Sequence, residues 1–223
     1  MVENNSLKRL PGMPKVPKTP ENPLLQVEGL NAWYGAAHIL HGVSLNVGRG
    51  EVVALMGRNG AGKSTTLKSI AGLVERRDGK TFFMGADISR KASHQIARLG
   101  LGYVPEDRRI FTELTVLENL EVGRQKARSW PNGEALPHWV PEKLFSLFPN
   151  LGEMPQRPGG QMSGGEQQML TVARTLMGQP YVVLLDEPSE GVAPLIVEQM
   201  AKTILQLKAQ GMGILLCEQN LPF

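Results

Sequence analysis

The sequence predicts an α/β fold built around a parallel sheet, and three observations carry that expectation. Val52-Val53-Ala54-Leu55-Met56, Tyr181 to Leu185 and Ile214 to Cys217 are short runs that are apolar throughout. Such runs are the mark of strands covered on both faces. Helical patterns lie between them, with Leu67, Ile70, Ala71 and Leu73 on one and Met169, Val172, Ala173 and Leu176 on another. Strands and helices therefore alternate along the chain, which is how layered α/β domains are wired.

Taken in order, the first 23 residues stand apart. Pro11, Pro14, Pro17, Pro20 and Pro23 recur every third residue, with Lys8, Arg9, Lys15 and Lys18 before and between them. In a polyproline II helix those prolines would share one face. With almost nothing to bury, residues 1–23 are expected to form a disordered basic tail. The folded domain is expected to begin at Leu24 and run to residue 223. Val43, Leu45 and Val47 alternate with Ser44 and Asn46, which predicts a half-buried strand before the turn at Gly48-Arg49-Gly50. Residues from about 107 to 165 break the alternation with charged helical segments and the loop SWPNGEALPHWVP, and predict an inserted helical lobe.

Composition narrows the function classes. At 223 residues and 41% hydrophobic, the chain suits one large domain or a core with an insertion. A net charge of +3 with both signs interspersed gives no nucleic-acid stripe, so no nucleic-acid partner is expected. Cys217 stands alone, which excludes an internal disulfide, fits a reducing compartment and predicts a buried strand thiol. No apolar stretch is long enough to span a bilayer, and no signal-peptide pattern is present. Service to a membrane process would then run from the cytoplasmic face, through partners.

The chemistry concentrates in three motifs. Gly57-Arg58-Asn59-Gly60-Ala61-Gly62-Lys63-Ser64-Thr65 fits the phosphate-binding pattern G-x-x-x-x-G-K-[ST] and sits between a predicted strand and a predicted helix. Its glycines let backbone N–H groups close on phosphate oxygens, Lys63 faces the terminal phosphates of a nucleotide, and the Ser64 hydroxyl suits Mg2+. A dinucleotide fingerprint is the weaker reading, since Gly60 and Gly62 lack the third glycine and a lysine follows. Next, Leu184-Leu185-Asp186-Glu187 ends an apolar strand in two carboxylates at the sheet edge where open α/β folds bind ligands. Asp186 is positioned to hold Mg2+, and Glu187 to polarise an attacking water as general base. The third motif, QMSGGEQQ, places Ser163, Gly164, Gly165 and Glu166 at a helix start, a second natural anion site.

The order of the three motifs resembles the ATP-binding subunits of ABC transporters over roughly residues 24–220. That resemblance explains the second anion site. In the family, two subunits pair head to tail, and the SGG helix start of one closes on the ATP held by the other. It implies that Ser163, Gly164 and Gly165 contact the γ-phosphate in trans, and that Tyr34 stacks on adenine. The segments VPEDRRIFTELTVLENL, LFPNL, GGEQQML and DEPSEGVAP are similar to ATPases of branched-chain amino acid importers, and related importers of urea or amides share much of this wording. The implied partners are a second cassette, integral permease subunits and, indirectly, a solute-binding protein, at the cytoplasmic face of the inner membrane.

Three positions depart from the general family pattern. Glu106 stands where a metal-contacting glutamine is usual, and keeps an oxygen ligand while adding charge. Gln219 replaces the usual switch histidine near the γ-phosphate, and its amide donates a hydrogen bond without positive charge. Ala193 replaces the aspartate that usually crosses the dimer interface. The C-terminal end, Leu221-Pro222-Phe223, is shorter than the family pattern. A non-hydrolysing or regulatory cassette is the alternative function that these departures keep open.

Overall fold

The computed structural model describes residues 23–219. The expected proline-rich tail, apart from Pro23, and the end at Leu221-Pro222-Phe223 lie outside those residues. Two sheets form the framework. The first is antiparallel, in the order β2-β1-β4-β5, from β1 (Leu25–Tyr34), β2 (Ala37–Val47), β4 (Arg76–Phe83) and the short β5 (Ala86–Asp87). The second is parallel, in the order β3-β8-β7-β6, from β3 (Val52–Met56), β6 (Leu101–Val104), β7 (Val182–Asp186) and β8 (Gly213–Glu218).

Period-two alternation in the parallel strands feeds two cores. Val182 and Leu184 of β7, with Leu215 and Cys217 of β8, face a core shared with the antiparallel sheet and with α1 (Lys63–Ile70). Val183 and Leu185, with Ile214 and Leu216, face the other core. That one is completed by α6 (Gly164–Met177) and α7 (Pro194–Ala209). Both strands are buried along their full length, as their unbroken apolar runs require. Each large side chain so buried is worth about 1.5–3 kcal/mol, and together they fix where β7 delivers Asp186.

Two expectations need correcting. The run from Val52 to Met56 was expected to be covered on both faces, yet Ala54 and Met56 are exposed, Met56 by 44%. Among the described residues β3 pairs with β8 alone, so it is an edge strand and one side of it lacks a neighbour. Leu73 was expected to continue the helix through Ile70. Gly72 instead takes a φ of +74°, α1 ends, and Leu73 is left exposed.

Between β6 and β7 the chain makes α3 (Val116–Gly123), α4 (Pro141–Leu147), α5 (Pro149–Gly152), a single 3-10 turn (Gly159–Gln161) and α6. The approach to α3 is tied down by Asn119, fully buried, which bonds the backbone of Phe111, Leu114 and Thr115. The loop SWPNGEALPHWVP is packed, not loose. Trp130 joins the core under the antiparallel sheet and Trp139 joins the helical one. Short α2 (Ser93–Leu99) precedes β6. Among the described residues no helix is long and apolar enough to cross a membrane.

Candidate nucleotide site

The loop after β3 is shaped by its glycines. Gly60 and Gly62 have φ near +80° and +87°, a region that L side chains rarely occupy. A Cβ on Gly62 would also come within 2.8 Å of the Leu40 side chain. Gly62 caps α1 with no side-chain acceptor, so the first amides of the helix keep the unsatisfied donors of a helix start. The backbone of Lys63, Ser64 and Thr65 thus opens onto a cavity of about 390 Å³.

That cavity gathers Asn59, Gly60, Gly62, Lys63, Ser64 and Thr65 from the loop. It adds Glu106 from beyond β6, Glu187 from the end of β7 and Gln219 from the end of β8. Tyr34, 50% exposed at the end of β1, forms its rim. Gly57 and Arg58 enter through their carbonyls, which accept the Lys63 ammonium at 2.8 and 3.3 Å. Ala61 closes the loop by donating its N–H to the Arg58 carbonyl.

Lys63 and Glu187 form a buried ion pair, Nζ to Oε1 3.1 Å, with each side chain 7% exposed. The second oxygen of Glu187 accepts a short hydrogen bond from the Gln219 amide. Glu187 itself sits in the left-handed region, φ 47°, at the corner where β7 gives way to the DEPSEG turn. Burial pushes its carboxyl up. Hydrogen bonds with Glu190, Gln219 and Lys63, and the Lys63 charge, outweigh that and hold it below the usual carboxylate range. Glu190 moves the other way: its hydrogen bond to Glu187, partial burial, and the charges of Glu187, Glu106 and Glu218 raise it to about 7.

Asp186 lies beneath this layer, fully buried. Its Oδ2 accepts the Tyr103 hydroxyl at 3.0 Å. Its Oδ1 is buried with no partner among the described residues. Burial and the Asp186 charge raise the Tyr103 phenol well above its ordinary range, so it remains a donor.

The third motif is elsewhere. Ser163 is the N-cap of α6, its N–H donating to Glu166 at 2.7 Å and its Oγ accepting the Glu166 N–H at 3.4 Å. None of Ser163, Gly164, Gly165 and Glu166 lines the cavity of Lys63. A Cβ on Gly164 would come within 2.7 Å of the Arg108 guanidinium, the movable end of a long side chain, and one on Gly165 within 2.9 Å of Ile196, so a side chain at either position would require its neighbour to shift. Ala193 caps α7 without a side-chain bond.

Sequence reasoning passed over four residues here. Ile39 and Glu190 line the cavity, Tyr103 holds Asp186, and Arg108 lies over Gly164. Glu190 was readable as a third acid in DEPSEG. The other three are placed by sheet pairing or by a loop conformation, which spacing does not encode.

Comparison with known proteins gives the family. Residues 40–190 match the family model described as ABC transporter. The high-affinity branched-chain amino acid transport ATP-binding protein BraG of Pseudomonas aeruginosa is 40% identical over 197 residues, covering 88% of this chain and 82% of BraG. The lipopolysaccharide export system ATP-binding protein LptB of Haemophilus influenzae is 36% identical over 88% of this chain and 80% of its own length. A crystal structure of the ADP conformation of an ATP-binding cassette superposes with a TM-score of 0.71 at 31% identity, covering 89% of this chain and 82% of the other. With a buried strand ending in Asp-Glu against a lysine loop, and a family match across most of the chain, the protein belongs to the ABC transporter family as one of its ATP-hydrolysing cassettes.

Proposed function

We propose that this cassette powers an importer of branched-chain amino acids or of a related small solute such as urea or an amide. The observation that carries the reading is the 40% identity to BraG over 88% of the chain. The 36% identity to an export protein makes the solute the finer part of the proposal. In this reading the cassette works at the cytoplasmic face of the inner membrane, paired head to tail with a second cassette, identical or related. The pair drives integral permease subunits that receive solute from a binding protein.

ATP takes the cavity, with adenine against Tyr34 and the phosphates against the loop. Lys63 is already aimed at the place where the terminal phosphates lie, so phosphate oxygens take over its bond to Glu187. Freed of Lys63, Glu187 accepts the proton of the attacking water, while Gln219 keeps one carboxylate oxygen oriented. The α6 start of the partner cassette supplies Ser163, Gly164 and Gly165 to the γ-phosphate.

A Mg2+ ion fits these residues. Asp186 Oδ1 is a buried acceptor without a partner among the described residues, next in sequence to the cavity-lining Glu187, and Ser64 and Glu106 line that cavity. Among the described residues no cluster of three or more His, Cys, Asp or Glu could hold a metal alone. The remaining ligands must come from phosphate oxygens and water, as is usual for Mg2+. Held by Asp186, Ser64 and Glu106, such an ion would supply positive charge against that developing on the phosphates.

The test is ATP hydrolysis by the cassette, alone and with its permease subunits in vesicles, alongside uptake of labelled leucine and urea. ATP hydrolysis with uptake of one solute class is expected. No hydrolysis in either preparation would favour a regulatory cassette, and hydrolysis with uptake of neither solute would overturn the importer assignment.

A further inference from the structure

We propose that Tyr103 is a positioning residue for the metal. It engages one oxygen of Asp186 and so leaves the other free to bind the cation that accompanies ATP. The inference rests on the proposed role of Asp186 as metal ligand and adds a residue to it.

The geometry divides the carboxylate in two. Tyr103 stands on β6 beside β7, its Cα partnered with that of Leu184, and its hydroxyl reaches across to Asp186 Oδ2 at 3.0 Å. Oδ1 has no partner and no solvent contact among the described residues. A fully buried carboxylate with both oxygens unpartnered would be costly, and one with both oxygens satisfied would have nothing to offer a cation. One donor on one oxygen avoids both problems. It also fixes which oxygen stays unpartnered, because rotation about χ2 would break the Tyr103 bond. No other described side chain donates to Asp186. The duty therefore falls on a residue 83 positions away in sequence. Ligating carboxylates are commonly held by such outer partners, whose loss costs roughly 10- to 100-fold in metal affinity.

Tyr103→Phe removes the hydroxyl and keeps the ring. It is made in a Glu187→Gln chain, saturated with ATP and titrated with Mn2+, with bound metal read from loss of the free-ion EPR signal. Weakening of Mn2+ affinity by about tenfold is expected, with ATP affinity in EDTA unchanged. Affinity within twofold of the parent overturns the proposal. So does a lowered melting temperature in EDTA with unaltered Mn2+ binding, which would make Tyr103 a packing residue only. Asp186→Asn is the control. If it too leaves Mn2+ binding intact, Asp186 is not a ligand and the underlying reading falls with the inference; if it alone abolishes binding, only the Tyr103 inference fails.

Discussion

The cavity around Lys63 and the start of α6 are both glycine-rich anion sites, but they are built differently. In and beneath the cavity Lys63, Glu187, Gln219 and one oxygen of Asp186 are already committed to partners within the chain. Lys63 holds Glu187 and two loop carbonyls, Gln219 holds Glu187, and Tyr103 holds Asp186. At the α6 start the polar groups serve only one another, through the reciprocal bonds of Ser163 and Glu166. Ser163 is exposed, whereas Lys63, Asp186 and Glu187 are buried. A preorganised site exchanges its internal partners for ligand at little reorganisation cost. The self-capped α6 start keeps its bonds within its own first turn, and in the head-to-tail pairing proposed above it would meet phosphate only across the interface. The contrast fits the two-chain site proposed above.

The largest effect that can break this comparison is on hydrolysis. Glu187→Gln is expected to slow phosphate release by about 10²–10⁴, the usual contribution of a placed base, while ATP binding survives. Single-turnover phosphate release and equilibrium ATP titration measure the two separately. A variant that hydrolyses at the parental rate would move the base elsewhere in the cavity.

Lys63→Ala comes next. It removes a charge-assisted bond to phosphate, worth about 1.5–3 kcal/mol or roughly 10- to 100-fold in ATP affinity. It also strands Glu187 as a buried, unpaired carboxylate, so the chain loses stability before any nucleotide is added. Adding Glu187→Gln should restore much of that stability without restoring ATP affinity, a non-additivity visible in a double-mutant cycle of urea midpoints. Additive losses would mean that the ion pair is not coupled in solution.

How much of this was legible follows from where each residue's neighbours lie. The strand-loop-helix at residues 52–70 and the Asp-Glu end of β7 were readable because their chemistry is local, with ligand groups adjacent in sequence. β7 and β8 were readable because burial on both faces demands apolar residues throughout. The same rule misled at β3, whose composition is as apolar as theirs although Ala54 and Met56 are exposed. Composition reports what a strand can bury, not how many neighbours it has. Tyr103 was out of reach for a related reason, and Glu190, though visible as a third acid in DEPSEG, gave no sign of its partner. One is brought to Asp186 by strand pairing and the other to Glu187 by a turn containing a left-handed residue.

A smaller effect tests the α6 side. Ser163→Ala removes an N-cap whose loss costs about 1 kcal/mol of helix stability. If the helix start served its own chain, ATP affinity of the isolated cassette would fall as well. It is expected to stay unchanged. ATP-driven pairing, followed by sedimentation in the Glu187→Gln background, should weaken by about tenfold, the value of one hydrogen bond to a charged group. Loss of ATP affinity in the unpaired chain would place the motif in cis and erase the contrast between the two sites.

The smallest effect is a pH dependence that only the cavity side should have. Glu190 is raised from 4.5 to about 7 by its bond to Glu187, by burial, and by the charges of Glu187, Glu106 and Glu218. The folded chain therefore favours the neutral acid. The resulting stabilisation is fully present below about pH 4.5 and is lost as pH rises through about 7. Glu190→Gln is neutral at every pH. Parent and variant should show the same urea midpoint in acid, and the variant should become the more stable of the two between pH 6 and roughly 8. The gain is modest because Glu190 is largely open to solvent, which screens the like charges around it. Glu218, also raised, chiefly by burial, continues to titrate in the variant, so the slope flattens without vanishing. Adding salt should shrink the difference further. Ion pairing cannot mimic this result, since it would make the parent gain stability with pH. Two parallel curves from pH 5 to 8 would show that Glu187 and Glu190 do not share a proton in solution. The cavity would then hold its base through Lys63 and Gln219 alone.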